Sequence, residues 1–264
     1  MASSFVLKRF VVVSILATMA MQLPLINSLL SLNQTNAYLH HVCLNGEGTF
    51  KSGSIYEREV KGLIDHLSTY LDYGFVNGAA GDSADDIYAK FQCRADISTS
   101  NCRSCLVTAF SGIRKQCPNN KGRIIWYDNC LLDISSIYTY GKIDYQHNFY
   151  LYNAKDVKSG TKSFNKKTRD LLSKLKENAT SKKELPYRRD YLYAAGEESL
   201  GTIKLHAMVQ CTKDLSAKNC SVCLDWIMAK LPKCCNDKQG GRVLTPSCNF
   251  RFELYPFVKT KTIE

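Results

Sequence analysis

The chain has 264 residues, twelve cysteines and a formal net charge of +11. A positive surplus of this size suits anionic partners, such as acidic polysaccharide, phosphate groups or an anionic membrane face, or else a solvated helix face. It does not indicate nucleic-acid binding, because the sequence carries no helix-turn-helix, zinc-finger or aromatic RNA-binding signature.

The first residues have the pattern of a secretory signal peptide, which we place at residues 1–28. Lys8 and Arg9 precede an apolar run from Phe10 to about Ile26. A transmembrane anchor is the alternative interpretation, but a span needs about 20 apolar residues and this run is a little shorter. No second apolar run follows. We therefore expect a secreted mature chain with no membrane span, in an oxidising compartment where cysteines form disulfides.

Two helices and two strands are predicted in the first half. A helix behind Ser54 is indicated by apolar residues at helical spacing, namely Val60, Leu63, Ile64, Leu67 and Leu71. A second helix begins near the first C-x2-C pair, and its apolar face carries Cys105, Leu106, Ala109 and Ile113. Runs rich in aromatic and β-branched residues predict strands at Ile124–Tyr127 and Leu131–Ile134.

The second half repeats this arrangement. Its first helix is indicated by Phe164, Leu171, Leu172 and Leu175, and its second by Cys223, Trp226, Ile227 and Lys230, with Pro232 as the expected stop. The predicted strands are His147–Tyr152, Tyr191–Tyr193, Lys204–Val209, Arg242–Leu244 and Phe250–Tyr255. Because strands and helices alternate irregularly, the sequence favours an α+β fold with an antiparallel sheet over a parallel α/β sheet.

The strongest signal is an internal repeat of cysteines. Five cysteines of the first half have counterparts 118 residues later: Cys93, Cys102, Cys105, Cys117 and Cys130 match Cys211, Cys220, Cys223, Cys235 and Cys248. Cys43 and Cys234 have no counterpart at this offset, yet each half holds six cysteines and can close its own bridges. The repeat predicts two domains, at residues 37–138 and 145–258. No Gly/Ser-rich or Pro-rich spacer joins them, so we expect them to pack against each other.

The sequence predicts no catalytic residue, metal site or cofactor. The C-x2-C pairs are compatible with thiol redox chemistry or half of a zinc site, but a disulfide framework explains all the cysteines and secretion disfavours reduced thiolates. Asp82, Asp85 and Asp86 read as a solvated acidic loop, because the spacing of an EF-hand is missing. None of the histidines lies in a hydrolase or protease signature; they are His40, His41, His66, His147 and His206.

A family resemblance rests on three features: the doubled C-x8-C-x2-C pattern, Cys43 upstream of it, and the similar tails Gly122–Cys130 and Gly240–Phe257. Together they resemble the plant cysteine-rich repeat secretory proteins, whose domain is called the ginkbilobin-2 homologous, DUF26 or stress-antifungal domain. The resemblance covers nearly the whole mature chain. It implies two tandem domains, each with two helices on an antiparallel sheet of about five strands and framed by disulfides.

The resemblance also implies how the cysteines pair. The expected bridges are Cys43–Cys117, Cys93–Cys102, Cys105–Cys130, Cys211–Cys220 and Cys223–Cys248. Cys234 and Cys235 are left adjacent, and three states are open to them: a vicinal bridge, two reduced thiols, or pairing between chains. Separately from the resemblance, sequons at Asn33 and Asn178 predict N-glycosylation.

Candidate ligand-binding residues come from the same resemblance. Ginkbilobin binds mannose through an asparagine just after its first cysteine, an arginine in the glycine turn and a glutamate five residues beyond the last cysteine. The first domain offers Asn45 and Arg123, each displaced by one position, with Ser135 in place of the glutamate. The second domain offers Arg242 and Glu253 without the cysteine and the asparagine. Arg242 and Glu253 are alternatively a charge-assisted pair that ties the sheet together.

Three functional hypotheses follow, besides a structural or adhesive role in which the chain dimerises through its domain faces. The resemblance implies a non-enzymatic recognition protein of the plant apoplast, with cell-wall or microbial glycans or other extracellular proteins as partners. Direct antimicrobial action through the basic surface, densest between Lys155 and Arg189, is the first alternative. A thiol oxidoreductase is the second.

Overall fold

The computed structural model describes residues 36–81, 85–181 and 187–258. These residues all belong to one compact unit, which begins at Asn36. The expected signal peptide, the sequon at Asn33 and Asp82 of the acidic loop lie outside the described residues. Among the helices that are described, none is both long enough and apolar enough to cross a membrane.

The first half forms a five-stranded antiparallel sheet with two helices. Its strands are β1 (Tyr38–Thr49), β2 (Phe75–Ala80), β3 (Ile87–Cys93), β4 (Asn120–Tyr127) and β5 (Cys130–Ser135), in the order β1-β4-β5-β3-β2. The helices are α1 (Ile55–Leu67) and α2 (Thr99–Gln116), and a 3-10 helix (Ser68–Tyr73) follows α1. Ser54 caps α1 because its hydroxyl accepts the Glu57 N–H, and Ser98 caps α2 in the same way.

The second half forms a sheet of the same topology. Its strands are β6 (Phe149–Tyr152), β7 (Tyr193–Ser199), β8 (Lys204–Cys211), β9 (Gly240–Leu244) and β10 (Cys248–Glu253), in the order β6-β9-β10-β8-β7. Its helices are α3 (Thr161–Thr180), α4 (Ala217–Met228) and the single turn α5 (Leu231–Cys234). Pro232 does not end α4, which stops at Met228. It lies instead in the first turn of α5, where a residue without an N–H is tolerated.

Strand alternation divides each sheet into two faces. In the first sheet, Phe91 and Leu132 pack under α1 and α2, whereas Lys90 and Asp133 point the other way. The faces away from the helices meet between the two domains, where Trp126, Leu131 and Leu244 share one buried cluster. The domains therefore pack against each other, as the lack of a spacer led us to expect.

Two glutamines at equivalent repeat positions join the domains reciprocally. Gln92 Nε2 donates to the Cys211 carbonyl at 2.8 Å, and Gln210 Nε2 donates to the Cys93 carbonyl at 2.9 Å. The Lys213 N–H donates to Gln92 Oε1, and the Ala95 N–H donates to Gln210 Oε1. Each contact thus has a counterpart 118 residues along the chain, so the two domains are related by an approximate two-fold axis.

The register of the edge strands explains the odd cysteines of the second domain. Cys43 lies opposite Arg123, and Tyr152 lies opposite Gly241. The strand β9 follows β4 by 118 residues (241 − 123), but β6 follows β1 by only 109 (152 − 43). The structural counterpart of Cys43 is therefore Tyr152, not the residue 118 positions later. Cys235, the counterpart of Cys117, is bonded to its neighbour Cys234 instead.

Candidate functional site

The linker between the domains, residues 136–148, leaves a cavity on each side where it crosses the first sheet. The larger cavity, here called the interdomain groove, has a volume of about 690 Å³ and is lined by β1, the linker and the loop before β10. The smaller, here called the tyrosine pocket, has a volume of about 120 Å³ and lies between the linker and strands β2, β3 and β5. Lys90, Asp133, Ser135 and Thr139 line both cavities.

A buried charge cluster forms the floor that the two cavities share. The Lys90 ammonium lies 3.7 Å from the Asp133 carboxylate and 3.6 Å from that of Asp214, and all three side chains are at least nine-tenths buried. Asp214 also accepts the Gly141 N–H of the linker at 3.0 Å. Burial raises the pKa of Asp133 to about 6, because the attraction of Lys90 does not outweigh desolvation and the neighbouring carboxylates.

The walls of the interdomain groove carry further polar groups held in place by the linker. The Glu47 carboxylate accepts the Ser136 N–H at 2.6 Å and the Ser135 hydroxyl at 3.0 Å. Asp144 contacts His147 Nδ1 at 2.7 Å. Tyr145 packs edge-on against Trp226 of the second domain, with ring centroids 5.0 Å apart. Hydrogen-bonding groups and an aromatic ring therefore converge on one concave surface.

The two ligand-binding candidates of the first domain do not line the same cavity. Asn45 borders the interdomain groove, and its Oδ1 accepts a hydrogen bond from Asn120 Nδ2 at 2.9 Å. Arg123 points to the helix side of the sheet, where its guanidinium donates to the Cys117 carbonyl at 3.2 Å and lies over the Phe50 ring. Arg123 is 1% exposed, so it serves the core of the first domain.

The two candidates of the second domain likewise have different ion-pair partners. Arg242 forms an ion pair with Asp128 of the first domain, and Glu253 pairs with Arg251 at 3.1 Å. Among the described residues, the ion pairs of Arg242 and Glu253 on the interdomain face are with Asp128 and Arg251, respectively, and not with each other. Burial alone would raise the pKa of Asp128, but the guanidiniums of Arg242 and Arg251 outweigh it and hold the pKa below its usual value.

A carboxylate covers the equivalent glycine in both domains. A Cβ on Gly240 would lie 1.8 Å from Glu253 Oε2, and a Cβ on Gly122 would lie 2.4 Å from Glu47 Cδ. Gly122 and Gly240 are 118 positions apart, so Glu47 of β1 supplies the carboxylate that Glu253 supplies in the second domain. Ser135, which stands at the glutamate position in the first domain, donates to that same Glu47.

All twelve cysteines are joined in six bridges. They are Cys43–Cys117, Cys93–Cys102, Cys105–Cys130, Cys211–Cys220, Cys223–Cys248 and Cys234–Cys235. The two cysteines of each C-x2-C motif belong to different bridges, so neither motif is the single dithiol–disulfide couple of a thioredoxin-type site. The sequon residue Asn178 lies exposed on α3.

The part of the basic stretch that lies in α3 (Thr161–Thr180) forms the solvent face of that helix. Three of its lysines are paired with acidic groups: Lys166 with Asp170 at 2.7 Å, Lys176 with Asp225 at 2.7 Å and Lys167 with Glu198 at 3.6 Å. These partners offset part of the positive charge that the sequence places there.

The sequence matches the salt stress response/antifungal family over residues 42–137 and 152–255. Two Arabidopsis thaliana proteins, cysteine-rich repeat secretory proteins 25 and 24, are 71% and 68% identical to this chain, over 98% and 97% of its length and 100% and 98% of theirs. The chain belongs to the cysteine-rich repeat secretory protein family. The resemblance inferred from the cysteine pattern is thus confirmed, and the names of these relatives agree with the expected secretion.

Solved structures with this fold include the tandem DUF26 ectodomains of the Arabidopsis thaliana cysteine-rich receptor-like proteins PDLP8 and PDLP5. Their TM-scores are 0.71 and 0.64 at 22% and 20% identity, and the match covers 84% and 83% of this chain and all of each ectodomain. At this identity the similarity shows the fold alone. It confirms the expected α+β architecture of two tandem antiparallel sheets for this member of the cysteine-rich repeat secretory family.

The sequence analysis did not predict the buried charge cluster that the two cavities share. Lys90, Asp133 and Asp214 come from β3, β5 and the loop after β8, so no local motif unites them. A usable signal was present, because Lys90 and Asp133 each interrupt an apolar strand at a position that alternation assigns to one face.

Proposed function

We propose that this chain is a secreted, non-enzymatic recognition protein that binds carbohydrate in the interdomain groove. The observation that carries the proposal is the composition of the groove, whose walls come from both domains and from the linker. Sugars require donors and acceptors at fixed positions together with an aromatic or apolar wall, and Asn45, Glu47, His147 and Tyr145 offer these groups.

Rigidity supports binding in this groove. The reciprocal hydrogen bonds of Gln92 and Gln210 hold the two domains in one arrangement. Arg189 adds a further tie, since its guanidinium donates to the Ile97 carbonyl at 2.8 Å and to Thr99 Oγ1 at 2.7 Å in the first domain. A groove held in its bound shape loses little conformational entropy when a ligand enters.

The test is a glycan array, followed by calorimetry, on the chain purified from a secreting host. We expect selective binding of a cell-wall or microbial glycan that weakens in Asn45→Ala and in Tyr145→Ala. Tyr150→Ala is the matched control, because Tyr150 is an exposed tyrosine on β6 outside the groove. An array without binding, or binding that all three variants retain, would refute the proposal.

Direct antimicrobial action remains a second candidate on the basis of the basic face of α3. Contact with an anionic microbial surface would be electrostatic, so growth inhibition should decline as salt is added and the Debye length shortens. Inhibition that is insensitive to salt, or that survives replacement of Lys162, Arg169 and Lys174 by glutamine, would refute this role for α3.

A further inference from the structure

The tyrosine pocket differs in chemistry from the interdomain groove on the other side of the linker. Its walls contain three tyrosines, Tyr88 on β3 and Tyr138 and Tyr140 on the linker. The Tyr88 and Tyr138 rings meet edge to face with centroids 5.3 Å apart, and the Tyr138 and Tyr140 rings stack at 6.2 Å. Tyr138 and Tyr140 are 53% and 45% exposed, so their rings are open to a ligand from solvent.

The floor of the pocket has a carboxylate whose hydrogen-bonding capacity is unused. Asp133 is 7% exposed and lines the pocket, and its carboxylate accepts no hydrogen bond from the described part of the chain. Its ion-pair partner, Lys90 Nζ, lies at 3.7 Å, beyond hydrogen-bond distance. A buried carboxylate that accepts no hydrogen bond is stabilised by any hydrogen-bond donor that enters the pocket.

The surroundings of Asp133 are negative although the chain as a whole is strongly positive. Three further carboxylates, those of Asp144, Glu47 and Asp214, raise the pKa of Asp133, and the Lys90 ammonium alone lowers it. Asp144 is itself in contact with His147. Asp133 and Lys90 line the pocket itself, whereas Glu47 and Asp144 line the groove and act on Asp133 through the shared floor. Together these carboxylates favour a cation beside Asp133 and disfavour an anion.

The ring faces of the three tyrosines are also free of internal cations. Elsewhere in the described residues, cationic side chains lie over aromatic rings, as Lys230 does over Trp226 at 4.2 Å and Arg251 over Phe257 at 4.2 Å. Among those contacts none involves Tyr88, Tyr138 or Tyr140. Aromatic faces beside a carboxylate attract an ammonium group through both the ring quadrupole and the charge.

We propose that the tyrosine pocket binds an organic ammonium group between the rings of Tyr138 and Tyr140 and the carboxylate of Asp133. The volume of about 120 Å³ is suitable for such a group, since a cavity of about 150 Å³ holds one benzene molecule. The ammonium group comes either from a free small amine or from an amino sugar within a glycan. This site shares Asp133 with the interdomain groove but lies on the other side of the linker, and binding there does not depend on the function proposed for the groove.

The test is calorimetric or ligand-observed NMR titration of the secreted chain with choline. Its uncharged carbon analogue, 3,3-dimethylbutan-1-ol, is the matched probe of equal shape. We expect saturable choline binding with a roughly millimolar Kd and at least about tenfold weaker binding of the neutral analogue. Equal binding of the two probes, or no saturable binding of choline, overturns the proposal.

Variants locate the site. Asp133→Asn should weaken choline binding at least about tenfold, and Tyr140→Ala should weaken it about 2- to 30-fold. Tyr140 is half-exposed, so its variant provides the test if Asp133→Asn does not fold. Tyr150→Ala is the control and should bind as the parent does. Unchanged binding in Tyr140→Ala places the ammonium elsewhere and refutes the assignment.

A second titration distinguishes the two sources of the ammonium group. Glucosamine oligomers and N-acetylglucosamine oligomers have the same backbone, but only the first carry amines. Tighter binding of the glucosamine oligomer than of choline, lost in Asp133→Asn, identifies an amino sugar of a glycan. Equal or weaker binding identifies a free amine. Preference for the N-acetylated oligomer contradicts the proposal, because that ligand has no charge for Asp133 to recognise.

Discussion

Replacement of Asp133 with asparagine should make stability less dependent on pH. The carboxyl has a pKa of about 6 in the folded chain and about 3.9 when unfolded. As the pH rises, the unfolded chain therefore loses this proton at a lower pH than the folded chain does. Between about pH 4 and about pH 6 the free energy of unfolding falls, because unfolding releases the proton. A difference of about two pKa units corresponds to about 3 kcal/mol at neutral pH. Asparagine carries no charge, so Asp133→Asn should be more stable than the parent by at most this amount.

The assay is urea unfolding with the disulfides intact at a series of pH values. The parent and Asp133→Asn should have similar free energies of unfolding near pH 4 and should diverge as the pH approaches 7. Asp170→Asn is the control, because Asp170 is exposed on α3 and its pair with Lys166 is at the surface. Parallel pH profiles of the parent and Asp133→Asn would refute the idea that burial disfavours the ionised carboxyl.

Three further outcomes are expected. Removal of the Cys43–Cys117 bridge, which spans 74 positions, should lower the free energy of unfolding by about 4 kcal/mol. The double variant Cys234→Ser/Cys235→Ser should lower it much less, because a bridge between neighbouring residues encloses almost no loop. Equal losses in denaturant unfolding would contradict this. Gln92→Ala should cost about 1–3 kcal/mol and accelerate amide exchange at Lys213, whose N–H loses its acceptor; unchanged protection of that amide would show that the contact is not formed. Asp128→Asn should cost about 3–5 kcal/mol at pH 7, because Arg242 and Arg251 lose their countercharge. Because the pKa of Asp128 is lowered in the folded chain, its ion pairs contribute to stability above about pH 4 and lose that contribution as the pH falls further. The stability difference between the parent and Asp128→Asn should therefore vanish on acidification. A difference that persists in thermal unfolding at low pH would refute this prediction.

Much of the fold was accessible from the sequence because the signals were local. The apolar spacing from Val60 to Leu67 and the cap at Ser54 define α1, and runs of aromatic and β-branched residues indicated β4, β5, β8 and β10. The strands β1, β2 and β3 were not predicted, and the expected strand Tyr191–Tyr193 overlaps β7 (Tyr193–Ser199) only at Tyr193. The strand β2 is short, carries Gly78 and two alanines, and has Val76 as its one buried residue. Its sequence therefore lacks the alternation of apolar and polar residues that would indicate a strand.

The candidate site was less accessible because it depends on contacts between distant segments. At the cysteine offset Cys43 has no counterpart, because the second domain has nine more residues between its first strand and the repeat (118 − 109), and only the strand register reveals Tyr152 at that position. Arg123 was selected by motif position, and its direction depends on a one-residue shift that turns it to the opposite face from Arg242. The one-residue displacement is visible in the sequence, and strand alternation converts it into opposite faces once the registers of β4 and β9 are known.

The reciprocal exchange of Gln92 and Gln210 makes the boundary between the halves self-complementary, like the contact surface of a two-fold homodimer. The single chain is in this sense a dimer whose subunits are fused, with residues 136–148 setting the local concentration of one half around the other. The same hydrogen bonds would form if two chains exchanged their second halves. Linker length, rather than the contacts themselves, therefore decides between a closed monomer and an exchanged pair, and deletion of linker residues should favour the pair.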